Sequence, residues 1–424
     1  MALWLYRAIL LPRLKYAAVV WWPAVGRVAY GQRLTSLQGN YLRAGAGVMR
    51  TTPTAALEVA FGLLPLNIDI TGQAKLTAYR LICMGTWRST GTGHTDLGLS
   101  QRSPFSLQQD KIPRKFQVEK SFRAVIRTRE DWRSSQPPTS PGVDAWFTDG
   151  SGAGNRFGAG VFNPATDTRL SFPLGELATV FQAEVLAIYE CIKICLERNT
   201  TGKHIMVHSD SMAALRAVTK PQADSATVWK CMQALNEAGK KNKVTLTWIP
   251  GHQGFYGNER ADGLAKRGTE IPPAHQVVGV PFATGKNIIQ NGLKRQHLHL
   301  WKTRVGCRQA KLWMKEPNIG RTKELLGLGR VRLRVGIALL TGHIALRSHL
   351  HTMDLAEHRE CRLCGEGEES SVHILYRCPT LAIYRYKTWG RMFVEPGEIS
   401  NLKVTQMCYL AEKAGINAQG LTTD

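Results

Sequence analysis

The amino-acid sequence predicts an α/β fold for its central part, with one mixed five-stranded sheet flanked by helices. Two observations lead to this prediction. Between residues 142 and 175, three short segments with the composition of β-strands follow one another, and from there to residue 270 helical segments alternate with two further strands. Three consecutive strands followed by alternating helices and strands are typical of a single mixed sheet covered by helices.

The five predicted strands are short and apolar, and turn-forming residues separate them. The stretch NPATD at 163–167, between the second and third strands, indicates a hairpin. In chain order, the strands have the sequences AWFTD (145–149), RFGAGVF (156–162), TRLSFPL (168–174), HIMVHSD (204–210) and KVTLTWIPG (243–251).

Four helices are predicted between and after these strands, because apolar residues recur in them at helical spacing. The second helix opens with a serine, a residue that favours a helix N-terminus. The helical sequences are ATVFQAEVLAIYECIKICLER (178–198), SMAALRAV (211–218), SATVWKCMQALNEAG (225–239) and GNERADGLAKRG (257–268).

The sequence outside this core divides into three further regions. Residues 1–95 show helical spacing of apolar residues, and residues 96–141 are polar and basic and end in RSSQPPTSPG, a composition typical of a linker. Residues 271–424 are basic, favour helix and contain a cluster of cysteines. We therefore expect a helical N-terminal region, a basic linker, the α/β domain at 142–270 and a basic C-terminal region.

The apolar N-terminus and the cysteines bear on the compartment. Arg7, Pro12, Arg13 and Lys15 interrupt the N-terminal stretch, so its apolar runs are too short to span a bilayer, and no small-residue cleavage site follows. This predicts a buried helix and no membrane partner. The nine cysteines are scattered and odd in number, which favours a reducing compartment. We expect an intracellular protein, nuclear or cytoplasmic, that is not secreted.

The charge is strongly positive and unevenly distributed. The chain has 55 Lys and Arg against 32 Asp and Glu, a formal net charge of +23. Residues 142–270 contain 14 basic and 13 acidic residues, so nearly all of the excess lies in the flanks. A surplus of this size is typical of proteins that bind nucleic acid or an acidic membrane surface. Without a membrane segment, we expect a nucleic-acid partner held by the flanks.

Four carboxylates fall where elements of the predicted sheet end or pack. Asp149 and Asp210 close two strands, and sites in open α/β sheets form where strands end. Glu184 lies on an apolar face of the first helix, and Asp262 lies in the last helix. Four converging acids without a basic partner in the same motifs repel one another, so the cluster needs cations. Such oxygen ligands suit Mg²⁺, and two ions would activate a water and stabilise a phosphodiester's leaving oxygen.

Each acid also has a purely structural interpretation. An aspartate at a strand end is more often a turn former or a helix cap, as Asp210 before Ser211 could be, and Glu184 could lie on a solvated helix face. The joint occurrence of four acids at the ends of adjacent elements favours the metal site. The small residues after Asp149, in the sequence GSGAG, then predict that a nucleic-acid backbone lies against the chain there.

Four blocks of the sequence resemble, in order and spacing, the signature blocks of the type 1 ribonuclease H family: FTDGSGAG, FQAEVLAI, HSDSMAAL and WIPGHQGFYGNERADGLAK. The resemblance covers residues 142–270. It implies the ribonuclease H-like fold, two Mg²⁺ ions with Mn²⁺ as a substitute, and cleavage of the RNA strand of RNA–DNA hybrids. It places the metal-binding catalytic acids of the family at Asp149, Glu184, Asp210 and Asp262. It places the mobile histidine of the family at His252.

Hydrogen-bonding groups beside the acids are candidates for contacts with substrate. RNA differs from DNA by its 2′-hydroxyl, which such groups can read. We expect minor-groove contacts from Gly150, Ser151, Gln182, Ser211 and Asn258. The sequence lacks the basic helix-and-loop insertion of some cellular members of the family, since KPQADSATVW leads directly into the next helix. This predicts weak hybrid binding by the domain alone.

The first hundred residues resemble the end of the reverse transcriptase of LINE-type (non-LTR) retrotransposons. The resemblance rests on the sequences LLPRLKYAAVVWW and LQGNYLRAGAGVMRTTPTAALEVAFGLLPL. It implies a thumb and trailing segment that grip a template–primer duplex. The paired-aspartate turn of the polymerase is absent from the sequence, so we expect no polymerase activity. An unrelated helical bundle is the alternative.

A second cluster of metal-binding residues lies near the C-terminus. It has the spacing C-x₂-C-x₈-H-x₄-C and consists of Cys361, Cys364, His373 and Cys378. Three thiolates and one imidazole suit a structural, tetrahedral Zn²⁺. The segment resembles the cysteine–histidine region that follows ribonuclease H in several LINE-type polyproteins. Accidental clustering is the alternative, with His358 as a substitute ligand.

The sequence thus predicts an endonuclease that hydrolyses the RNA strand of RNA–DNA hybrids by two-metal-ion catalysis, within a retrotransposon-derived protein. Two alternatives stay open. One is a DNA-cutting transposase or integrase on the same fold, and the other is a nucleic-acid-binding retroelement remnant that is catalytically silent.

Overall fold

A computed structural model describes residues 2–87, 97–99, 104–132, 142–272, 276–395, 398 and 403–416. The chain forms two compact units. One comprises residues 76–288, and the other combines residues 1–75 with residues 289–424.

Eight β-strands occur in the described residues, and all of them lie in the unit of residues 76–288. They are β1 (Lys111–Phe116), β2 (Phe122–Val125), β3 (Val143–Ala153), β4 (Arg156–Asn163), β5 (Thr168–Gly175), β6 (His204–Ser209), β7 (Gln222–Ser225) and β8 (Lys243–Trp248).

The α-helices of the described residues are α1 (Ala2–Leu5), α2 (Leu11–Lys15), α3 (Ala18–Trp21), α4 (Val28–Ala46), α5 (Thr54–Ala60), α6 (Leu66–Cys83), α7 (Val180–Glu197), α8 (Met212–Thr219), α9 (Ala226–Lys241), α10 (Tyr256–Glu270), α11 (Phe282–Thr303), α12 (Arg308–Trp313), α13 (Ile319–Gly327), α14 (Arg330–Thr341), α15 (Arg347–Thr352), α16 (Ala382–Trp389) and α17 (Val404–Lys413). Short 3₁₀ or π turns occupy Tyr6–Leu10, Trp22–Gly26, Glu130–Trp132, His373–Arg377 and Pro379–Leu381.

The main sheet has six strands in the order β2-β8-β6-β3-β4-β5. Strands β2, β8, β6 and β3 run parallel, and β4 and β5 continue as an antiparallel meander. The predicted mixed sheet and its five strands are confirmed, and helices flank the sheet. The sixth strand, β2, joins the edge beside β8.

The prediction of a linker over residues 96–141 is wrong for the part that holds β1 and β2. The first of these strands pairs antiparallel with β7 in a separate two-stranded ribbon. The second has only four residues, FRAV, and pairs with residues 244–247, about 120 positions downstream. A short edge strand whose partner is so distant leaves no periodic signal of its own in the sequence.

Local capping fixes where the helices around the sheet begin. The hydroxyl groups of Thr179, Ser211 and Ser225 each accept a hydrogen bond from a backbone N–H in the first turn of α7, α8 and α9. Helix α10 lies directly on β4. A Cβ atom at Gly158 or Gly160 would overlap the backbone of this helix, which explains the small residues in the sequence RFGAGVF.

The segments on either side of residues 142–270 are hydrogen-bonded to this core. The Asp110 carboxylate accepts from the N–H and the hydroxyl of Thr227, at 2.9 and 2.7 Å, in the first turn of α9. The Asp110 N–H donates to the carbonyl of Val280 at 2.9 Å. From α7, Gln182 donates to the carbonyl of Gly279 at 2.9 Å. The unit is therefore larger than the core alone.

The described residues of the other unit form helices and turns, with one isolated antiparallel bridge between Glu360 and Glu368, and its N-terminal region is helical as predicted. Buried Gln38 of α4 organises the N-terminal helices: its amide donates to the Tyr6 hydroxyl at 3.0 Å and to the Leu64 carbonyl at 2.9 Å, and it accepts from the Leu66 N–H at 3.0 Å. None of the helices in the described part of the chain has both the length and the apolar character needed to cross a membrane.

The buried side chains upstream of β3 should make the core depend on them. Phe122 and Trp132 belong to the hydrophobic core of the sheet. We expect a fragment of residues 104–288 to be more stable than one of residues 142–272, by about 3 kcal/mol or more, because burying each large aromatic contributes roughly 1.5–3 kcal/mol. Urea unfolding of both fragments measures the difference. Equal midpoints and slopes would show that the upstream strands are dispensable.

Candidate active site

The sheet itself brings the first two acids together. Strands β3 and β6 run parallel, and their last paired residues are Thr148 and Ser209. Asp149 and Asp210 follow directly after that pair, so both carboxylates lie at the edge where these parallel strands end. The prediction that Asp149 and Asp210 lie where strands of the sheet end is confirmed for both acids.

Helix α7 adds the third acid. Glu184 lies in the second turn of the helix and is 6% exposed. The helix can approach the sheet because residue 150 is a glycine: a Cβ there would lie 2.5 Å from the Glu184 backbone nitrogen. The expectation that small residues leave room for a nucleic-acid backbone is therefore wrong at Gly150, where the space is filled by the helix that carries Glu184.

Asp149, Glu184 and Asp210 form one compact group. Each offers a carboxylate oxygen, and these oxygens lie within 4.8 Å of one another. Burial, together with the neighbouring carboxylates, raises the pKa of Asp149 to about 8 and that of Glu184 to about 10. Burial also raises the pKa of Asp210. Three acids held this close in a poorly hydrated pocket remain ionised only where positive charge joins them.

Asp262 of α10 lies beside this group. Its carboxyl is within hydrogen-bonding reach of Asp149 and raises the pKa of that residue. Its side chain is 16% exposed, and its Oδ2 lies 2.5 Å from Nζ of Lys266, one turn further along the helix. The expectation that no basic residue partners the acids is therefore wrong. The i,i+4 spacing of Asp262 and Lys266 is the signal that could have predicted the pair.

His252 lies on the exposed loop between β8 and α10. Its φ of +56° puts it in the left-handed region. Burial raises the pKa of Asp210, and the Asn258 hydrogen bond and then the nearby His252 oppose part of that rise. With Glu259 and Asp262, His252 forms a second group whose ligand atoms lie within 4.8 Å of one another. Sequence reasoning missed Glu259. Three residues before Asp262, it shares a face of α10 with that acid.

The residues predicted to contact substrate differ in burial and in hydrogen bonding. Asn258 is buried and donates a hydrogen bond to the Asp210 carboxylate, which orients that acid. Ser211 caps α8 by accepting from the Ala214 N–H at 3.3 Å. Gln182 is 1% exposed and its side-chain amide donates to the Gly279 carbonyl, and its contact with substrate stays a prediction. Ser151 is partly exposed on β3.

The cysteine cluster is built by a tight turn. The Cys361 N–H donates to the Gly367 carbonyl at 3.0 Å, and the Gly365 N–H donates to the Cys361 carbonyl at 2.8 Å. Gly365 and Gly367 both adopt positive φ, +70° and +67°, which the reversal of the chain requires. The turn presents Cys361 and Cys364 on one side, and His373 begins the π turn that leads to Cys378.

The spacing of the four side chains fits Zn²⁺. Their ligand atoms lie within 4.8 Å of one another. The Sγ atoms of Cys361 and Cys378 are 3.9 Å apart, and Cys364 Sγ is 3.3 Å from Nε2 of His373. Tetrahedral Zn²⁺ with Zn–S bonds of about 2.3 Å places two sulfurs roughly 3.8 Å apart. The cluster thus matches a structural zinc site.

A buried arginine adjoins this cluster. Arg385 is fully buried, and its guanidinium donates to the carbonyls of Cys378, Ile374 and Met392. Three thiolates and a neutral imidazole around Zn²⁺ carry a net charge of −1, which a buried cation nearby offsets. Sequence reasoning missed Arg385.

A mixed sheet with carboxylates at the ends of its parallel strands and a third from the adjacent helix defines a nuclease-type α/β domain. The comparisons agree with this class. A family model described as RNase H matches residues 143–270. A Ribonuclease H of Mesorhizobium japonicum is 31% identical over 136 residues, which cover 29% of this chain and 75% of that protein. A Ribonuclease H of Janthinobacterium sp. (strain Marseille) is 29% identical over 143 residues, which cover 30% of this chain and 94% of that protein. The chain belongs to the ribonuclease H family.

The acid group should make the metal-free fold sensitive to pH. The pKa of Asp149 rises from 3.8 to about 8 on folding, and that of Glu184 from 4.5 to about 10. A raised carboxyl pKa contributes stability that is complete below about pH 4 and is lost as the pH rises through the folded value. We expect the metal-free fragment 104–288, which lacks the cysteine cluster, to melt at a lower temperature at pH 8 than at pH 5.

Asp149→Asn should reduce this pH dependence and stabilise the metal-free fragment at pH 8 by about 1 kcal/mol or more. Mg²⁺ should raise the melting temperature of the unchanged fragment at pH 8 and have little effect on the variant. Asp167→Asn, in an exposed hairpin turn where φ is +47°, is the matched control. A metal-free melting temperature that is the same at both pH values would contradict the acid group as described.

Removing the buried cation should weaken the zinc site. We expect Arg385→Met to lower Zn²⁺ affinity roughly 10- to 100-fold, as for other groups that support metal ligands, measured by competition with a chromophoric chelator. Arg391→Met is the control, since Arg391 is exposed and pairs with Glu398. The absorption spectrum of the Co²⁺-loaded variant reports whether three thiolates still bind. Unchanged affinity in Arg385→Met would show that the arginine does not offset the charge of the site.

Proposed function

We propose that the protein is an endonuclease that hydrolyses the RNA strand of RNA–DNA hybrids with two Mg²⁺ ions. The observation that carries the proposal is the compact group of three carboxylates with Asp262 beside it, in a chain of the ribonuclease H family. The curated relatives that it matches carry the name Ribonuclease H.

The donor set fits the proposed metal. All the candidate ligands are carboxylates, which hard divalent cations such as Mg²⁺ prefer, and Mn²⁺ accepts the same ligands. Burial and the neighbouring carboxylates raise the pKa of Asp149 and of Glu184, so a divalent cation in the pocket would favour the ionised form of both acids. In the proposed arrangement, Asp149, Glu184 and Asp210 would hold one ion, and Asp149 with Asp262 would hold the other. Bound there, the ions would supply an activated water and charge stabilisation at the leaving oxygen.

Residues around the acids hold them in position. The Asn258 hydrogen bond fixes the orientation of Asp210, and the backbone of Gly150 hydrogen-bonds to the carboxylates of Asp149 and Glu184. Lys266 offsets part of the charge of Asp262 from the outer side. His252 is exposed on the loop beside Asp210, where its imidazole is placed to take or give a proton at the edge of the pocket.

Selection of RNA would rest on polar groups around the acids. Ser151 is exposed enough to meet a 2′-hydroxyl, and the backbone of Gly150 lies next to it on β3. Ser211 and Asn258 already bond within the protein, and each retains hydrogen-bonding capacity. The products would carry 3′-hydroxyl and 5′-phosphate ends, as the family resemblance implies.

We further infer that the protein derives from a LINE-type retroelement. The resemblance of residues 1–95 to the end of a reverse transcriptase supports this origin, and the helices α1 to α6 are consistent with a thumb-like region. The cysteine cluster in residues 271–424, which follow the ribonuclease H domain in the sequence, also supports this origin. An intracellular location, nuclear or cytoplasmic, follows from this proposal.

A cleavage assay on four substrates tests the activity. The chain is incubated with Mg²⁺ and RNA–DNA hybrid, double-stranded RNA, duplex DNA or single-stranded RNA. We expect cleavage of RNA in the hybrid alone and a loss of at least about 10³-fold in Asp149→Asn, because a metal ligand is removed. Asp167→Asn should retain full activity. Cutting of duplex DNA would favour a transposase-type enzyme, and binding without any cleavage would favour a silent remnant; either result overturns the proposal.

A further inference from the structure

A two-stranded ribbon stands apart from the main sheet. It is formed by β1 and β7, which pair antiparallel. In the sequence, β7 lies between α8 and α9. The chain after β1 is fastened to the end of α8: the Gln117 N–H donates to the Pro221 carbonyl at 2.8 Å, and Lys120 Nζ donates to the carbonyls of Val218 and Lys220 at 2.8 and 2.7 Å. The ribbon is thus a fixed part of the domain.

The ribbon concentrates positive charge. Residues 111–120 contain four basic residues and one acid. Lys111 pairs with Asp224 of β7 at 2.7 Å. Arg114 and Lys115 are exposed, and no carboxylate in the described part of the chain forms an ion pair with either of them. The next loop, residues 126–132, has two arginines and two acids and no such excess.

An aromatic side chain accompanies the charge. Lys115 points towards α9, where its Nζ lies 5.3 Å from the ring centre of Trp229. Side chains alternate along the regular part of the strand, so Phe116, which follows Lys115, lies on the opposite face, away from the helix, and Arg114 precedes the pair where the register of β1 is irregular. Phe116 is 65% exposed, and Val118 beyond it is 78% exposed. An arginine next to a solvent-exposed phenylalanine is the combination with which proteins hold a nucleic-acid backbone and its sugars or bases.

Helix α8 connects the acids to the point where the ribbon is fastened. This helix begins directly after Asp210 and Ser211 and has eight residues, so it is about 12 Å long. The ribbon is fastened at its far end. One strand of a duplex advances about 3.4 Å per nucleotide, so about 12 Å corresponds to between three and four nucleotides. A duplex cut at the acids is therefore long enough to reach the ribbon.

We propose that residues 111–120 form a second contact surface for the nucleic acid that is cut at the acids, with Arg114 and Lys115 on phosphates and Phe116 on the sugar–base side. This inference rests on the proposed function. Residues 111–120, which lie just upstream of residues 142–270, would supply the positive charge that those residues lack. An acidic protein partner would be the other occupant of such a basic strand, and the experiment separates the two.

Binding is measured with the full chain carrying Asp149→Asn, so that substrate stays intact. Fluorescence anisotropy with a labelled RNA–DNA hybrid is recorded over a series of salt concentrations. Arg114→Ala with Lys115→Ala should reduce the slope of log K against log salt by about 2, since each lost phosphate contact removes about 0.9. Phe116→Ala should weaken binding at least about fivefold and leave the slope unchanged, because its contact is uncharged.

The matched control removes two charges elsewhere. Lys241 and Lys243 are exposed at the edge where β8 begins, which is the edge opposite the acids. Lys241→Ala with Lys243→Ala should leave affinity and slope unchanged. Melting temperatures and far-ultraviolet circular dichroism of all variants establish that the fold is retained.

A failure of this inference can be distinguished from a failure of the proposed function. If the chain with Asp149 intact cleaves hybrid, but the Arg114/Lys115 variant binds as the control does, the inference is overturned and the proposed function stands. If the chain cleaves no substrate, the proposed function fails, while the slope measured with Asp149→Asn still decides whether the ribbon binds nucleic acid. Unchanged hybrid binding together with loss of binding to a polyglutamate peptide would assign the ribbon to an acidic protein partner and overturn the inference.

Discussion

The constraint on which the structure depends is the meeting of like charges at the end of two parallel strands. The pairing of Thr148 with Ser209 fixes the distance between Asp149 and Asp210, because neither strand can shift without breaking the register of the sheet. Gly150 then lets α7 approach until Glu184 joins them. The folded chain thus holds three carboxylates in a pocket where burial opposes their ionisation. That arrangement lowers the stability of the protein without metal, and a fold would retain it only for a group that brings positive charge.

The sequence predicts the acids of this site well because their signals are local. Asp149 and Asp210 each follow a short apolar strand, and Glu184 lies on the apolar face of a helix that a threonine caps. The rule that sites form at strand ends supplies the rest. The signal for Lys266 is also local, since it is an ordinary i,i+4 pair with Asp262 on one helix. Gly150 was misinterpreted because a missing side chain does not say which neighbour takes its space.

Elements held by distant partners were beyond the sequence. Phe122 pairs with Val244, and Lys111 pairs with Ser225, so both upstream strands owe their conformation to residues more than a hundred positions away. The segment that contains them, residues 96–141, is basic and polar as a whole, which is why it resembles a linker. The cysteine cluster shows the contrast: its four ligands fall within eighteen residues and were predicted from spacing alone. Arg385 follows Cys378 by only seven positions, yet no spacing rule marks a buried cation that bonds to backbone carbonyls.

The separation of charge along the chain has a physical basis in the same site. A basic side chain next to the three acids would pair with them and compete with divalent cations for the pocket, as Lys266 does only at its outer side with Asp262. A domain that must both hold cations and attract phosphate therefore benefits from placing its own positive charge at a distance. The ribbon is fastened at the far end of α8, a helix about 12 Å long that begins after Asp210. Exposed charges separated by more than about 8 Å are largely screened at physiological salt, whereas a duplex that touches both places interacts with each at contact distance. The near-neutral composition of residues 142–270 and the basic composition of the segment before them are then two parts of one electrostatic arrangement.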